Sequence, residues 1–401
     1  MPDFTTRCCV VGGGPAGMML GYLLARAGID VTVLEKHADF LRDFRGDTVH
    51  PSTMQVMYEL GLLDSFLARP HSEVRSLAVQ IGDELIQIAD FSHLPTRAKF
   101  VAFMPQWDFL DFLAEQAGYF SSFHLLRQTE ATGLAHEAGR VAGVTGTGPD
   151  GPVTVRAELV IACDGRHSTL REASGLHVTE LGAPMDVLWL RLSKHGTDPG
   201  QTLGRIDAGR FFIMLDRNDY WQCAFVIQKG GIDQVHARGL DAFRAEIVRL
   251  APFLHDRVQE LATWDDVKLL TVAVNRLETW YQPGLLLIGD AAHAMSPVGG
   301  VGINLAIQDA VATANILVPR MKNGAPTLDD LRAVQKRREW PTKMTQRTQV
   351  VIQNRVITGV LSSTQTPKPP ALLRLAGRVS LLRRLPARVV GMGFRPEHIR
   401  H

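Results

Sequence analysis

Short continuous apolar runs, each closed by glycine, alternate along this chain with longer stretches in which apolar residues recur at helical spacing. The first run, at 8–11, has no polar interruption, so it reads as a strand buried on both faces. It leads into Gly12, Gly14 and Gly17, then the helical pattern PAGMMLGYLLARAG, then a second apolar strand, VTVLE. Pro51 near its start and the spacing through 52–60 predict a helix. Residues 74–89 alternate and reverse at Gly82-Asp83 as a hairpin does. A short strand is expected at 100–104, a helix over 107–117, and strands over 141–162 around a GPDGP turn. The pattern is mostly β over 186–228, helical over 239–250 and strand-like over 268–274. A buried strand at 285–288 precedes a helix over 304–318. From 367 onward the chain is basic and helical. Strand and helix signals interleaved in this order suggest two domains threaded through each other.

Composition narrows the class without naming a chemistry. The 401 residues are 45% hydrophobic and 21% charged, as in an ordinary globular chain with a large core. A formal net charge of +2 is too small to predict nucleic-acid binding, and no apolar run reads as long enough to span a bilayer. Cys8, Cys9, Cys163 and Cys223 sit in apolar strand-like runs rather than in spaced pairs, so they are expected to be reduced core residues. The first strand begins almost at the N-terminus, and the default expectation is a cytoplasmic protein.

Three motifs carry candidate chemistry. In the first, Gly12 permits the tight turn, Gly14 lets the backbone approach a pyrophosphate and Gly17 lets helix and strand pack closely. Glu35 closes the second strand, where its carboxylate can take ribose hydroxyls. In the second, the strand of LVIACDGRHSTLR ends at Asp164-Gly165, a plain turn when taken alone. The third, LLLIGDAAHAMSPVGGVGIN, ends a strand in Gly289-Asp290 and crowds glycines at a helix N-terminus. Bare N–H groups at the positive end of a helix dipole suit a flavin, whose pyrimidine edge gains negative charge on reduction. Asp290 can then accept the ribityl hydroxyls, while His293 reads as a structural residue.

Taken together over about residues 5–320, these motifs resemble the FAD-dependent aromatic hydroxylases of the para-hydroxybenzoate hydroxylase type. The family's P-x-x-G-x-G-x-N segment is matched by Pro297, Gly300, Gly302 and Asn304, with Val301 where many members carry glutamine. Arg45 matches the arginine that approaches FAD, and Gln106 a PQ segment near the ribityl chain.

The resemblance implies an α/β fold: a Rossmann-like FAD-binding domain with an inserted β-rich substrate domain and a C-terminal helical segment. The expected boundaries are 1–73, 101–178 and 268–360 for the FAD-binding domain, 74–100 and 179–267 for the substrate domain, and 361–401 for the tail. It further implies Gly12, Gly14, Gly17, Glu35, Arg45, Gln106, Asp164, Gly165, Gly289, Asp290, Gly302 and Asn304 as the FAD-binding set. The backbone of Pro297, Gly299 and Gly300 would line the oxygen-reactive face, with no side-chain acid or base assigned.

The implied activity is monooxygenation. NADH or NADPH reduces FAD, O2 adds to form a flavin C4a-hydroperoxide, and one oxygen passes to an aromatic substrate. No second GxGxxG unit offers the nicotinamide a domain of its own. A halogenase is disfavoured, because the lysine after the first glycine motif and the WxWxIP segment are both missing. The competing reading is a flavin reductase, dehydrogenase or redox module on the same scaffold.

Candidate substrate residues are Trp189, Arg191, Arg210 and Trp221, on strands of the β-rich insert. No residue matches the family's phenol-activating tyrosine, which favours a larger or more apolar aromatic than para-hydroxybenzoate. The tail is expected to pack over the FAD-binding domain, in preference to lying on a membrane.

Overall fold

A largely parallel sheet organises one half of the molecule, in a computed structural model that describes residues 3–41, 48–199 and 203–400. Its strands run in the order Tyr281–Gln282, Leu285–Leu287, Gly151–Ala162, Asp3–Val11, Val31–Leu34 and Phe123–Leu126. Glu130–Glu137 and Arg140–Gly148 branch from the third of these. Cys8 lies opposite Leu159 on one side and Val31 on the other, both in parallel register. Adjacent strand residues point to opposite faces, yet Cys8, Cys9 and Val10 are all fully buried. The sheet is therefore covered on both sides, which is why its strands read as unbroken apolar runs.

Helices Pro15–Arg26 and Gly302–Met321 pack side by side. The stretch Val298–Met321 is long and apolar enough to cross a bilayer by composition, contrary to the reading that no run reaches that length. It is apolar all round because it is a core helix: Ile307, Ala310, Val311 and Leu317 join the cluster of Cys9, Val10 and Met19.

The second sheet has seven strands, ordered Lys268–Leu270, Met185–Ser193, Tyr220–Gln228, Arg210–Asp216, Leu203–Asp207, Ser76–Ile81 and Glu84–Asp90. One face (Leu188, Leu190, Phe212, Trp221) packs on Phe243 and Ile247 of helix Leu240–Leu250. The other (Val187, Ala224, Val226) packs with Val272, Val298 and Ile357, and so faces the glycine-rich loop. Lys268–Leu270, expected within 268–360, pairs with Met185–Ser193 and belongs to this second sheet. It was misassigned because a three-residue run carries no sign of which sheet it joins.

Two elements depart further from expectation. Helix Leu328–Ile352, opened by a capping box between Thr327 and Asp330, gave no sequence signal and is the longest helix among the described residues. The tail forms helices Ala371–Arg378 and Ser380–Met392. Contrary to expectation, it lies chiefly over the hairpin strand Glu84–Asp90, and Ala387 and Met392 join Phe91, Leu94 and Phe103 in a small core.

Candidate active site

Glycines bring the three motifs to one place by close approach. Gly12 has φ +102°, and a Cβ there would stand 2.5 Å from the Cys163 carbonyl oxygen and 2.8 Å from the Asp164 Cα. A Cβ on Gly17 would stand 2.0 Å from the Gly12 carbonyl oxygen, so helix and turn can meet only at glycine. Gly289 wedges between the two core helices, its Cβ position 3.2 Å from Ala16 and 3.3 Å from Ala306. Arg166 completes the junction, with its guanidinium 3.7 Å from the Asp290 carboxylate.

Both core helices end here with open N-termini. Helix Pro15–Arg26 begins after Gly14 and helix Gly302–Met321 after Val301, and neither has a side-chain cap. A Cβ on Gly14 or on Gly302 would meet no heavy atom within 4 Å. Uncapped N–H groups beside room for a ligand form an anion cradle at each helix start. Glu35, buried, accepts from the Gly13 N–H at 3.1 Å and the His37 N–H at 3.0 Å, which fixes its carboxylate at the end of its strand. These residues fit FAD. The pyrophosphate would lie at Gly14, the ribose at Glu35, the ribityl chain at Asp290 and the flavin ring at the start of helix Gly302–Met321.

The turn Val298–Gly300 holds Gly299 at φ +80° and Gly300 at φ +62°. It is braced from outside by residues that the sequence analysis did not single out. Gln349 donates to the carbonyls of Ser296 and Val298, both at 2.9 Å, and accepts from the Ser296 N–H. Gln346 donates to the carbonyls of Asn275 and Ala294, and Gln353 to the Ser296 hydroxyl. All three glutamines sit on one face of the helix that begins at Leu328 and of its π-helical continuation Gln353–Ile357.

A buried polar chain runs behind Gly289. Asp309 accepts from the Gly289 N–H at 3.1 Å, contacts His293 Nε2 at 2.6 Å and accepts from Arg338 Nε at 2.8 Å. Arg338 then reaches Glu397 in the tail. Burial alone would raise the Asp309 carboxyl, but His293 and Arg338 hold it below the usual carboxylate range. His293 is thus part of a structural network, with its ring 4.9 Å from that of Trp280. The four cysteines are free and buried, and burial pushes their thiols up, Cys9 to about 12.

Other expected residues also bond within the protein. Asn304 spends its amide on protein groups: its oxygen accepts from the His50 N–H at 2.8 Å and the Thr53 hydroxyl at 2.7 Å, and its nitrogen donates to the Thr48 carbonyl. It clasps the glycine-rich loop to the segment 48–53. Asp164 turns its carboxylate to the Ser168 hydroxyl and the Leu170 N–H, starting a short helix, and burial pushes it above the usual range. Gly165 adopts φ +85° in that turn. Gln106 opens helix Gln106–Ala117 and is half-buried. Arg45 lies outside the described residues.

Among the candidate substrate residues, the two faces of the seven-stranded sheet decide. Trp221 is fully buried on the face away from the loop, its indole N–H donating to Asp198 at 2.8 Å, so it is core. Arg210 shares that face and pairs with Glu246 at 2.9 Å. Trp189 and Arg191 lie on the loop-facing side. Arg191 is exposed, 4.0 Å above the Tyr220 ring. Trp189 packs with the cluster that includes Val298, and its Nε1–H is buried with no acceptor among the described residues.

Residues 5–348 match the family described as FAD binding domain, and the chain belongs to it. It is 34% identical over 388 residues to 6-methylpretetramide 4-monooxygenase of Streptomyces rimosus, covering 95% of this chain and 92% of that one. It is 30% identical to a rifampicin monooxygenase of Streptomyces venezuelae, covering 91% and 73%. The fold superposes on p-nitrophenol 4-monooxygenase from Pseudomonas putida with a TM-score of 0.78 at 21% identity, covering 96% and 97%. The chain is an FAD-dependent monooxygenase that uses NAD(P)H and O2 to hydroxylate an aromatic ring.

Proposed function

We propose that the substrate is a fused polycyclic aromatic, held between the loop-facing side of the seven-stranded sheet and the turn Val298–Gly300. The observation that carries this reading is the composition of that side. Phe211, Ile213, Ala224, Val226 and half-buried Trp189 form one apolar cluster with Val272 and Val298, while Arg191 on the same side is exposed and lies over the Tyr220 ring. A wide apolar ring system buries area on every contact with that wall, whereas a single small ring covers little of it. Trp189 Nε1–H supplies a single donor for a substrate carbonyl or phenolic oxygen. Two relatives are named as monooxygenases for 6-methylpretetramide and for rifampicin.

FAD, when bound, supplies the transfer of electrons from NAD(P)H and the activation of O2. The work of this chain is positional. The uncapped start of helix Gly302–Met321 places N–H groups where negative charge develops, and the backbone of Pro297, Gly299 and Gly300 forms the wall beside the ring. Val298, Ile213 and Val226 keep water from the space between wall and substrate. The glutamine brace from Gln346, Gln349 and Gln353 keeps the turn from shifting as the substrate enters.

The test is the rate of anaerobic flavin reduction by NADH and by NADPH, with single-ring phenols, aromatic acids and fused-ring phenols in turn. Acceleration by fused-ring compounds alone, with one atom of 18O2 found in the product, establishes the reading. Acceleration by small benzoates alone rejects the substrate class, and fast reduction indifferent to every aromatic favours a reductase.

A further inference from the structure

Between Glu339 and Glu397 the chain carries ten lysines and arginines and no carboxylate. Nine of the sixteen large apolar side chains that stand exposed among the described residues fall in this same stretch. The tail helices are fixed on their inner side. A Cβ on Gly377 would stand 2.9 Å from Ile86 and one on Gly391 2.6 Å from Leu94, so small residues let the first helix lie close against the hairpin and the second against the segment that follows it. Arg374 is paired with Glu84, and Arg383 with the Gln87 side-chain amide oxygen. The outer side presents Leu375, Val379, Leu381, Leu382 and Leu385, with Leu381 64% and Leu385 68% exposed. The exposed Arg378, Arg384 and Arg388 are interleaved among them.

We propose that this outer face docks on an anionic lipid bilayer. Leucines standing out from helices that are otherwise anchored need an apolar cover. A second copy of this chain is a poor one, because a two-fold contact would set these arginines against their own copies with no acid to relieve them. A bilayer with anionic headgroups satisfies both components: leucines enter below the headgroups while the long arginine side chains reach the phosphates. The cleft of about 90 Å³ between this tail and the end of the long helix, lined by Ile352, Val389 and Phe394, reaches Val298 and Gly299. The docking face thus adjoins an apolar path toward the flavin turn. The proposal rests on the surface itself and stands apart from the choice of substrate.

The experiment is co-sedimentation of the FAD-loaded protein with vesicles of phosphatidylcholine alone and of phosphatidylcholine mixed with phosphatidylglycerol, at low and high salt. Binding is expected to the mixed vesicles, weakened by salt. Leu381→Glu with Leu385→Glu should abolish it while leaving FAD content and the unfolding midpoint unchanged, since both side chains face solvent. Arg384→Gln and Arg388→Gln should each weaken partitioning about fivefold at low salt. Absence of binding to the mixed vesicles overturns the proposal, as does binding that the leucine variant leaves intact. A wild-type dimer that the leucine variant converts to monomer, without lipid binding, would assign the face to a second copy and overturn it equally.

Discussion

His50 offers a sharp test of how the tail is held to the flavin loop. Its ring is 1% exposed, with Nδ1 2.7 Å from the Val390 carbonyl of the tail, while its backbone N–H donates to Asn304. Burial lowers its pKa from 6.5 to about 4, the Val390 carbonyl offsetting only part of that. The ring is therefore neutral in the fold, with Nδ1–H donating to Val390. Between these values the unfolded chain binds a proton that the fold excludes, so stability rises with pH across the window. The contribution is fully present above about pH 6.5 and lost progressively as pH falls toward 4. A shift of about 2.5 units corresponds to about 3 kcal/mol in all, of which about 2 kcal/mol is lost between pH 7.5 and 5. Depressed carboxylates act lower. Burial would raise Asp198, but Arg257 and Trp221 hold it at about 2, so its contribution is present above 3.8 and lost only as pH falls toward 2. The assay is urea unfolding of the holoprotein at pH 7.5, 6 and 5, for wild type and His50→Gln, whose amide can still donate to Val390. The wild type should lose about 2 kcal/mol more than the variant over this range. Equal losses would refute the buried neutral histidine.

Three further outcomes follow from the site. Trp189→Phe keeps an aromatic ring and removes the donor, so KM should rise roughly tenfold, the worth of one hydrogen bond of about 1.4 kcal/mol, with kcat little changed; an unaltered KM would show that no substrate oxygen meets Nε1. Gln349→Met strips the turn of three hydrogen bonds, and the unfolding midpoint should fall by an amount equivalent to about 2–4 kcal/mol, with weaker FAD retention; a wild-type midpoint would reject the brace. Asp290→Ala removes the carboxylate proposed for the ribityl hydroxyls and should release FAD on gel filtration, whereas stoichiometric FAD at normal affinity would exclude that role.

The contrast between what the chain disclosed and what it concealed follows from where polarity lies. The nucleotide-binding turn was legible because its requirements are steric: a Cβ at Gly17 or Gly12 would stand 2.0 or 2.5 Å from a backbone carbonyl oxygen, which leaves no alternative to glycine. The hairpin reversing at Gly82-Asp83 was legible for a similar reason, since it appears as strands Ser76–Ile81 and Glu84–Asp90 with Gly82 at φ +56°. Helix Leu328–Ile352 was silent because its inward face carries Gln335, Arg338, Thr342, Gln346 and Gln349, all buried, so hydrophobic periodicity has nothing to report. The two sheet faces were equally opaque. Trp221 and Trp189 differ by one strand face, both faces are apolar, and alternation alone cannot say which one meets a helix and which meets the flavin loop.

Gln346 and Gln349, which sequence reasoning overlooked, share one property: each satisfies loop backbone that would otherwise be buried without partners. The loop bonds to itself in part, through the Gly300 N–H to the Pro297 carbonyl, but its carbonyls at Ala294, Ser296 and Val298 are met from elsewhere. The long helix meets them with glutamines, whose amides donate and accept without adding charge beside a flavin turn. Glutamines buried at 346, 349 and 353, spaced by three and four, are the signal that would have found both the helix and its task.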